Sequence, residues 1–153
     1  MIGARSAALA TALAFGSLLT AGPGWAERDD GDQLIVLDGD TVVLPCAVPT
    51  RSCAEKVRLT EIDAPEVFHP DCEAERIAGL RAKERVAGLI RGQPVELVRS
   101  GETDRDGRTL GSLQVPTGAV GAILLHEGLA LSDRPGREAK AAPTAQGCRP
   151  DRR

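Results

Sequence analysis

Five short β-rich runs, split once by a segment of helical spacing, constrain this chain more than any other feature of its sequence. QLIVL, TVVLP and KVRLTEI follow one another closely, separated by the turn DGD and by a Pro-containing loop between Cys46 and Cys53. From Cys72 the period changes: Ala78, Ala82, Val86, Leu89 and Ile90 recur at helical spacing, and Gly92-Gln93-Pro94 ends the segment. PVELVRS and RTLGSLQV then read as two more strands across the polar turn GETDRDG, and GAVGAILLHEG (118–128) as a short, largely buried helix. Strands, helix, strands, helix in that order predict a small α+β domain around a barrel-like sheet. Beyond Asp133 apolar content falls away and Pro143 interrupts the helical potential of REAKAA, so 133–153 reads as a C-terminal tail.

The third run ends in an unusual way. RLTEIDAPE crowds Asp63, Pro65 and Glu66 at a strand exit, where each weakens or stops β pairing. Acids recur at two other turns, Asp38 and Asp40 in LDGDT and Asp104 and Asp106 in TDRDGR. Two or three carboxylates with carbonyls and water suit a hard divalent cation such as Ca²⁺, and the first two clusters form such a site if their strands are neighbours. Taken singly, each cluster is also what an ordinary solvated turn contains. Arg58 and Arg108 add paired donors suited to the oxygens of a phosphodiester. Arg58 lies five positions before Asp63, an odd separation, so a regular strand would point the two side chains to opposite faces. A bend is needed to bring them together.

The first residues carry a different message. Arg5, the apolar run from Ala7 to Thr20 and Gly24-Trp25-Ala26 have the layout of a secretory signal cleaved after Ala26, and the run is short of the ~20 residues that span a bilayer. Residues 27–132 then make one domain. The formal net charge of −3, more negative still without Arg5, excludes a general polyanion binder. Nucleic acid could be held only through a local basic patch or a bound cation. All four cysteines follow the signal, which favours disulfides in an oxidising compartment, while their spacing lacks the close pairs of a zinc site. Four cysteines allow three connectivities. The expected one joins Cys46 to Cys53, closing a short loop, and Cys72 to Cys148, fastening the tail to the start of the long helix.

LDGDTVVL, VRLTEIDAPE, TDRDGR and HEGLA, in this order, resemble the motifs of the thermonuclease (staphylococcal-nuclease-like) family, over about Gln33 to Ser132. The resemblance implies a five-stranded OB-type barrel with packed helices and Ca²⁺-dependent hydrolysis of DNA or RNA, leaving 3′-phosphate and 5′-hydroxyl ends. Carried over position by position, it makes Asp40, Asp63 and the carbonyl of Ala64 the Ca²⁺ ligands. Glu66 becomes the general base, and Arg58 and Arg108 the phosphate-binding arginines. An exported monomer, extracellular or periplasmic, is expected.

The chain also departs from the family. It has no tyrosine; Asp106 stands where the best-known member carries one inside the TDxxGR motif, and a second stacking tyrosine would fall near Ser132. Base stacking contributes about 1–3 kcal/mol per base, so weaker substrate affinity is expected rather than lost chemistry. The competing reading is a non-catalytic OB-type module that binds nucleic acid or protein. The complete charged set favours the enzyme.

Overall fold

The computed structural model describes residues 26–46, 53–60, 62–133 and 148. The expected signal, residues 1–26, lies outside the described residues except for Ala26, as do the loop between Cys46 and Cys53 and most of the tail. In chain order the elements are β1 (Ala26–Asp30), β2 (Ile35–Val36), β3 (Thr41–Leu44), β4 (Glu55–Leu59) and β5 (Ile62–Asp63). Helix α1 (Glu73–Ile90) follows, then β6 (Pro94–Thr103), β7 (Thr109–Val115), β8 (Gly118–Ala119), α2 (Val120–His126) and β9 (Leu131–Ser132).

Alternation along β6 and β7 sends Val95, Leu97, Leu113 and Val115 into the core while Glu96, Val98, Ser112 and Gln114 between them stay more open. Strands β3 and β4 add Val42, Val57 and Leu59 to the same core. The strands pair in the order β1-β6-β7-β4-β3-β2, with β8 beside β7. All these contacts are antiparallel except β4 with β7, where Arg58 lies level with Leu110. The mixed sheet curves as a half-barrel closed by two helices, the α+β OB-type architecture expected. Its strand count exceeds five because the expected β-rich runs are joined by β1 and β8 at the sheet's margins and because one run divides.

That division is KVRLTEI. Its pattern predicts a single strand, but β4 stops at Leu59 and Thr60 anchors to Gly111 through its N–H (2.9 Å) and hydroxyl (3.3 Å). The chain then leaves the main sheet, and β5 pairs instead with β9, Ile62 opposite Ser132 and Asp63 opposite Leu131. Helix α1 buries Ala82, Val86 and Ile90, as its spacing predicts, together with Gly79 and Glu75. Arg85 of α1 forks onto Glu127 at the end of α2 at 2.7 and 2.6 Å, joining the two helices. Both expected disulfides are present, Cys46–Cys53 and Cys72–Cys148, and the second fixes the buried Cys148 beside the start of α1.

Candidate functional site

The LDGD turn is where the site begins. Gly39 lies against the methyl groups of Ala64 and Ala82, and a Cβ there would stand 2.7 Å from each, so only glycine allows the turn to seat between the strand exit and α1. Asp40 is thereby buried to 2% exposure, at the entry to β3. Its carboxylate is fully engaged: Oδ1 accepts from the Thr41 hydroxyl (3.0 Å), while Oδ2 accepts from the Ala64 N–H (2.9 Å) and meets Nη1 of Arg58. The Asp40 N–H donates in turn to Asp38 (3.2 Å).

Arg58 stands opposite Thr41 in the β3–β4 register, beside Asp40. The break after β4 turns the chain back, so that Arg58 Nη2 lies 3.3 Å from both Asp63 Oδ1 and the Ile62 carbonyl. The odd spacing between Arg58 and Asp63 is therefore overcome by a strand break. One guanidinium faces oxygens of Asp40, Asp63 and Ile62. Burial alone would depress Arg58, but the two carboxylates outweigh it and hold its pKa above the ordinary value.

The acids are under opposite pressure. Burial pushes Asp38 up to about 6, with the neighbouring Asp40 charge adding to it. Burial also raises Asp63, against the pull of Arg58 and with help from Asp40 and Asp133. Glu66 is raised first by burial and then by Asp40, with Glu75 and Asp63 adding and Arg58 opposing. Glu66 thus shares one electrostatic neighbourhood with Asp40, Arg58 and Asp63. A carboxylate raised in this way is a better proton acceptor near neutrality.

The other expected residues sit differently. Ala64 is buried, and its N–H fixes Asp40; the carbonyl that faces the guanidinium is that of Ile62. Arg108 directly precedes β7, two residues before Leu110, the register partner of Arg58. Its guanidinium is engaged within its own turn, by Asp104 (2.7 Å) and Asp106 (3.5 Å). Ser132 of β9 lies opposite Ile62, next to the Asp63 pair. Glu75, buried to 3% and accepting the Asp71 N–H, was not anticipated. Its position four residues before Gly79 and seven before Ala82 is the signal that places it on the core face of α1.

Among the described residues no group of three or more His, Cys, Asp or Glu side chains is arranged to hold a metal ion. Asp40 and Asp63 supply two carboxylates, and with the Ile62 carbonyl they surround a positive group entirely with oxygen. That donor chemistry fits a hard divalent cation. The family model described as Staphylococcal nuclease homologue (SNase) matches residues 56–146, a span that holds Arg58, Asp63, Ala64, Glu66 and Arg108 and begins after Asp40. No curated protein matches the chain.

Proposed function

This chain belongs to the staphylococcal nuclease homologue family, and from that premise we propose that it is an exported, Ca²⁺-dependent nuclease that hydrolyses phosphodiester bonds of DNA or RNA. The observation that carries the reading is the Arg58 guanidinium seated between Asp40 and Asp63 at a strand exit, with Glu66 in the same field. A purely structural ion pair needs one carboxylate; here Arg58 meets two, and Glu66 lies within the same electrostatic field.

Asp40, Asp63 and a backbone carbonyl, that of Ala64 by family correspondence, would hold the Ca²⁺, which when bound polarises a phosphoryl oxygen and offsets its developing charge. Glu66 takes the proton of a water aligned with the phosphorus, its raised pKa suiting it to that task. Pro65 stiffens the link between ligand and base. Arg58 and Arg108 supply fixed N–H donors to the phosphate oxygens as negative charge builds. Both arginines rest on carboxylates of the protein, so substrate phosphate must compete with Asp40 and Asp63 for Arg58, and with Asp104 and Asp106 for Arg108. Cleavage of the P–O5′ bond would leave a 3′-phosphate and a 5′-hydroxyl.

Export rests on the signal-like first 26 residues and on the two disulfides, which persist in oxidising compartments. Among the described residues no helix is long and apolar enough to cross a membrane. The direct test is nicking of a supercoiled plasmid by the oxidised protein, with Ca²⁺ and with chelator, alongside Glu66→Gln. Nicking that needs Ca²⁺ and falls by orders of magnitude in a folded Glu66→Gln variant is expected. Binding of single strands without any cleavage would leave the OB-type binding module as the function.

A further inference from the structure

Phe68 is the only Phe, Trp or Tyr side chain among the described residues, since Phe15 and Trp25 fall outside them and the chain has no tyrosine. A lone large aromatic normally serves the core, where its apolar area contributes most. Phe68 is instead 58% exposed. Its loop is nonetheless seated firmly on α1. At Gly79 a Cβ would stand 2.5 Å from the Pro65 carbonyl oxygen and 3.0 Å from both the Glu66 carbonyl oxygen and a Val67 methyl group. A two-residue step of chain, at most ~7 Å, separates Phe68 from Glu66.

A basic ridge continues from the ring. Lys83 Nζ, on the next turn of α1, lies 5.9 Å from the ring centroid, at the outer limit of a cation–π contact. Lys83, Ala87 and Arg91 follow at intervals of four residues and line a depression of about 250 Å³. The opposite wall includes Asp32, whose Oδ1 accepts from the Gly92 N–H at 2.8 Å, so the phosphate path keeps to the α1 wall, away from this one carboxylate. Among the described residues neither Lys83 nor Arg91 has an ion-pair partner. An acidic chain that handles a polyanion needs a local patch of this kind.

Resting on the nuclease reading, we infer that Phe68, Lys83 and Arg91 form a subsite for single-stranded nucleic acid beside the Glu66 centre. A nucleobase lies against the Phe68 ring, and the phosphates next to it meet Lys83 and then Arg91. An aromatic face accepts any base, because every base has a π-face, and the two cations lose no energy in leaving carboxylate partners. The subsite thus favours unpaired strands over duplex, without sequence preference.

Three measurements test this, using an octathymidylate and the dinucleotide dTpdT with the oxidised protein as exported, residues 27–153. Phe68→Ala should raise KM for the octamer about tenfold with kcat within twofold, and leave dTpdT unaffected, since the added binding acts equally on ground and transition states. Phe68→Trp should keep the native KM and show fluorescence quenching on titration with the octamer, its ring being the one tryptophan left once Trp25 has gone with the signal. Lys83→Ala and Arg91→Ala should each reduce the slope of log affinity against log salt by about 0.7. An unchanged octamer KM in Phe68→Ala overturns the subsite, as does native behaviour of Phe68→Leu, which is apolar but cannot stack. Loss of a self-associated species in Phe68→Ala with octamer binding intact would make the ring a contact between copies and equally overturn it. Quenching of Phe68→Trp in a protein that cleaves nothing would remove the nuclease reading and leave the subsite standing.

Discussion

Arg58 does at the residue scale what a cation would otherwise do. Its guanidinium offsets the charges of Asp40, buried to 2%, and of Asp63, and so allows two acids to meet inside the fold. Removing it leaves those carboxylates facing each other. Arg58→Gln should destabilise the protein by about 3 kcal/mol, the lower end for a broken buried pair, because Asp63 keeps partial access to solvent. A cation bound to the same oxygens replaces the missing charge, so Ca²⁺ should raise the Tm of Arg58→Gln more than that of the native protein. Thermal unfolding of both in chelator and in excess Ca²⁺ decides; equal increments would mean that Arg58 and the cation do not share ligands. Asp106, expected only as a poor substitute for a stacking ring, has a partner of its own, since its carboxylate lies 3.5 Å from Arg108.

Elements meet at the site because strands bring distant residues level. Glu55 of β4 and Arg99 of β6 flank β7, and the fork from Arg99 closes over it at 2.9 and 2.7 Å, with Thr109 of β7 also bonded to Glu55. The Arg99 bond, against the opposing effect of burial, holds Glu55 below its ordinary 4.5. A lowered folded pKa contributes stability that is present above pH 4.5 and is lost as pH falls through the folded value. Glu55→Gln should therefore cost about 1 kcal/mol near pH 7, a figure reduced for the partial exposure of the pair, and the difference from native should close on acidification. Urea unfolding of both proteins at pH 7 and in acid measures this; a gap that persists in acid would assign the loss to packing. Asp38, Asp63 and Glu66, with raised pKa values, work in the opposite sense and lose stability as pH rises through them.

At the scale of the whole molecule, Cys72–Cys148 joins residues 76 apart and ties the far end of the chain to the start of α1. In the chain-entropy model a loop of that length contributes about 4 kcal/mol through the unfolded state. Replacing both cysteines with serine should lower stability by up to that amount, while Cys46 and Cys53, only 7 apart, should matter less. Chemical unfolding of each double variant gives the two numbers; a larger loss from the short loop would show that the tail is held by other contacts.

Local periodicity was enough to reveal the α+β class, the main strands and helices in order, and the core face of α1 through Ala82, Val86 and Ile90, while Asp40, Arg58, Asp63, Glu66 and Arg108 stood out by residue type and took roles only from the family resemblance. Periodic features depend on neighbours a few positions away, and the chain carries them in its own pattern. The partner of each charge was not legible. Arg58 reaches Asp63 only because β4 breaks at Leu59 and β5 crosses to β9, and it reaches Asp40 only because Thr41 pairs with Arg58 across the sheet. Helical spacing could place Glu75 on the core face of α1 but not within the field of Glu66, and nothing in the spacing marked Phe68 as exposed on a loop pinned by Gly79. Ion pairing and burial fall off over a few ångströms, and at that range strand register and helix docking, which only the folded chain possesses, determine which groups meet.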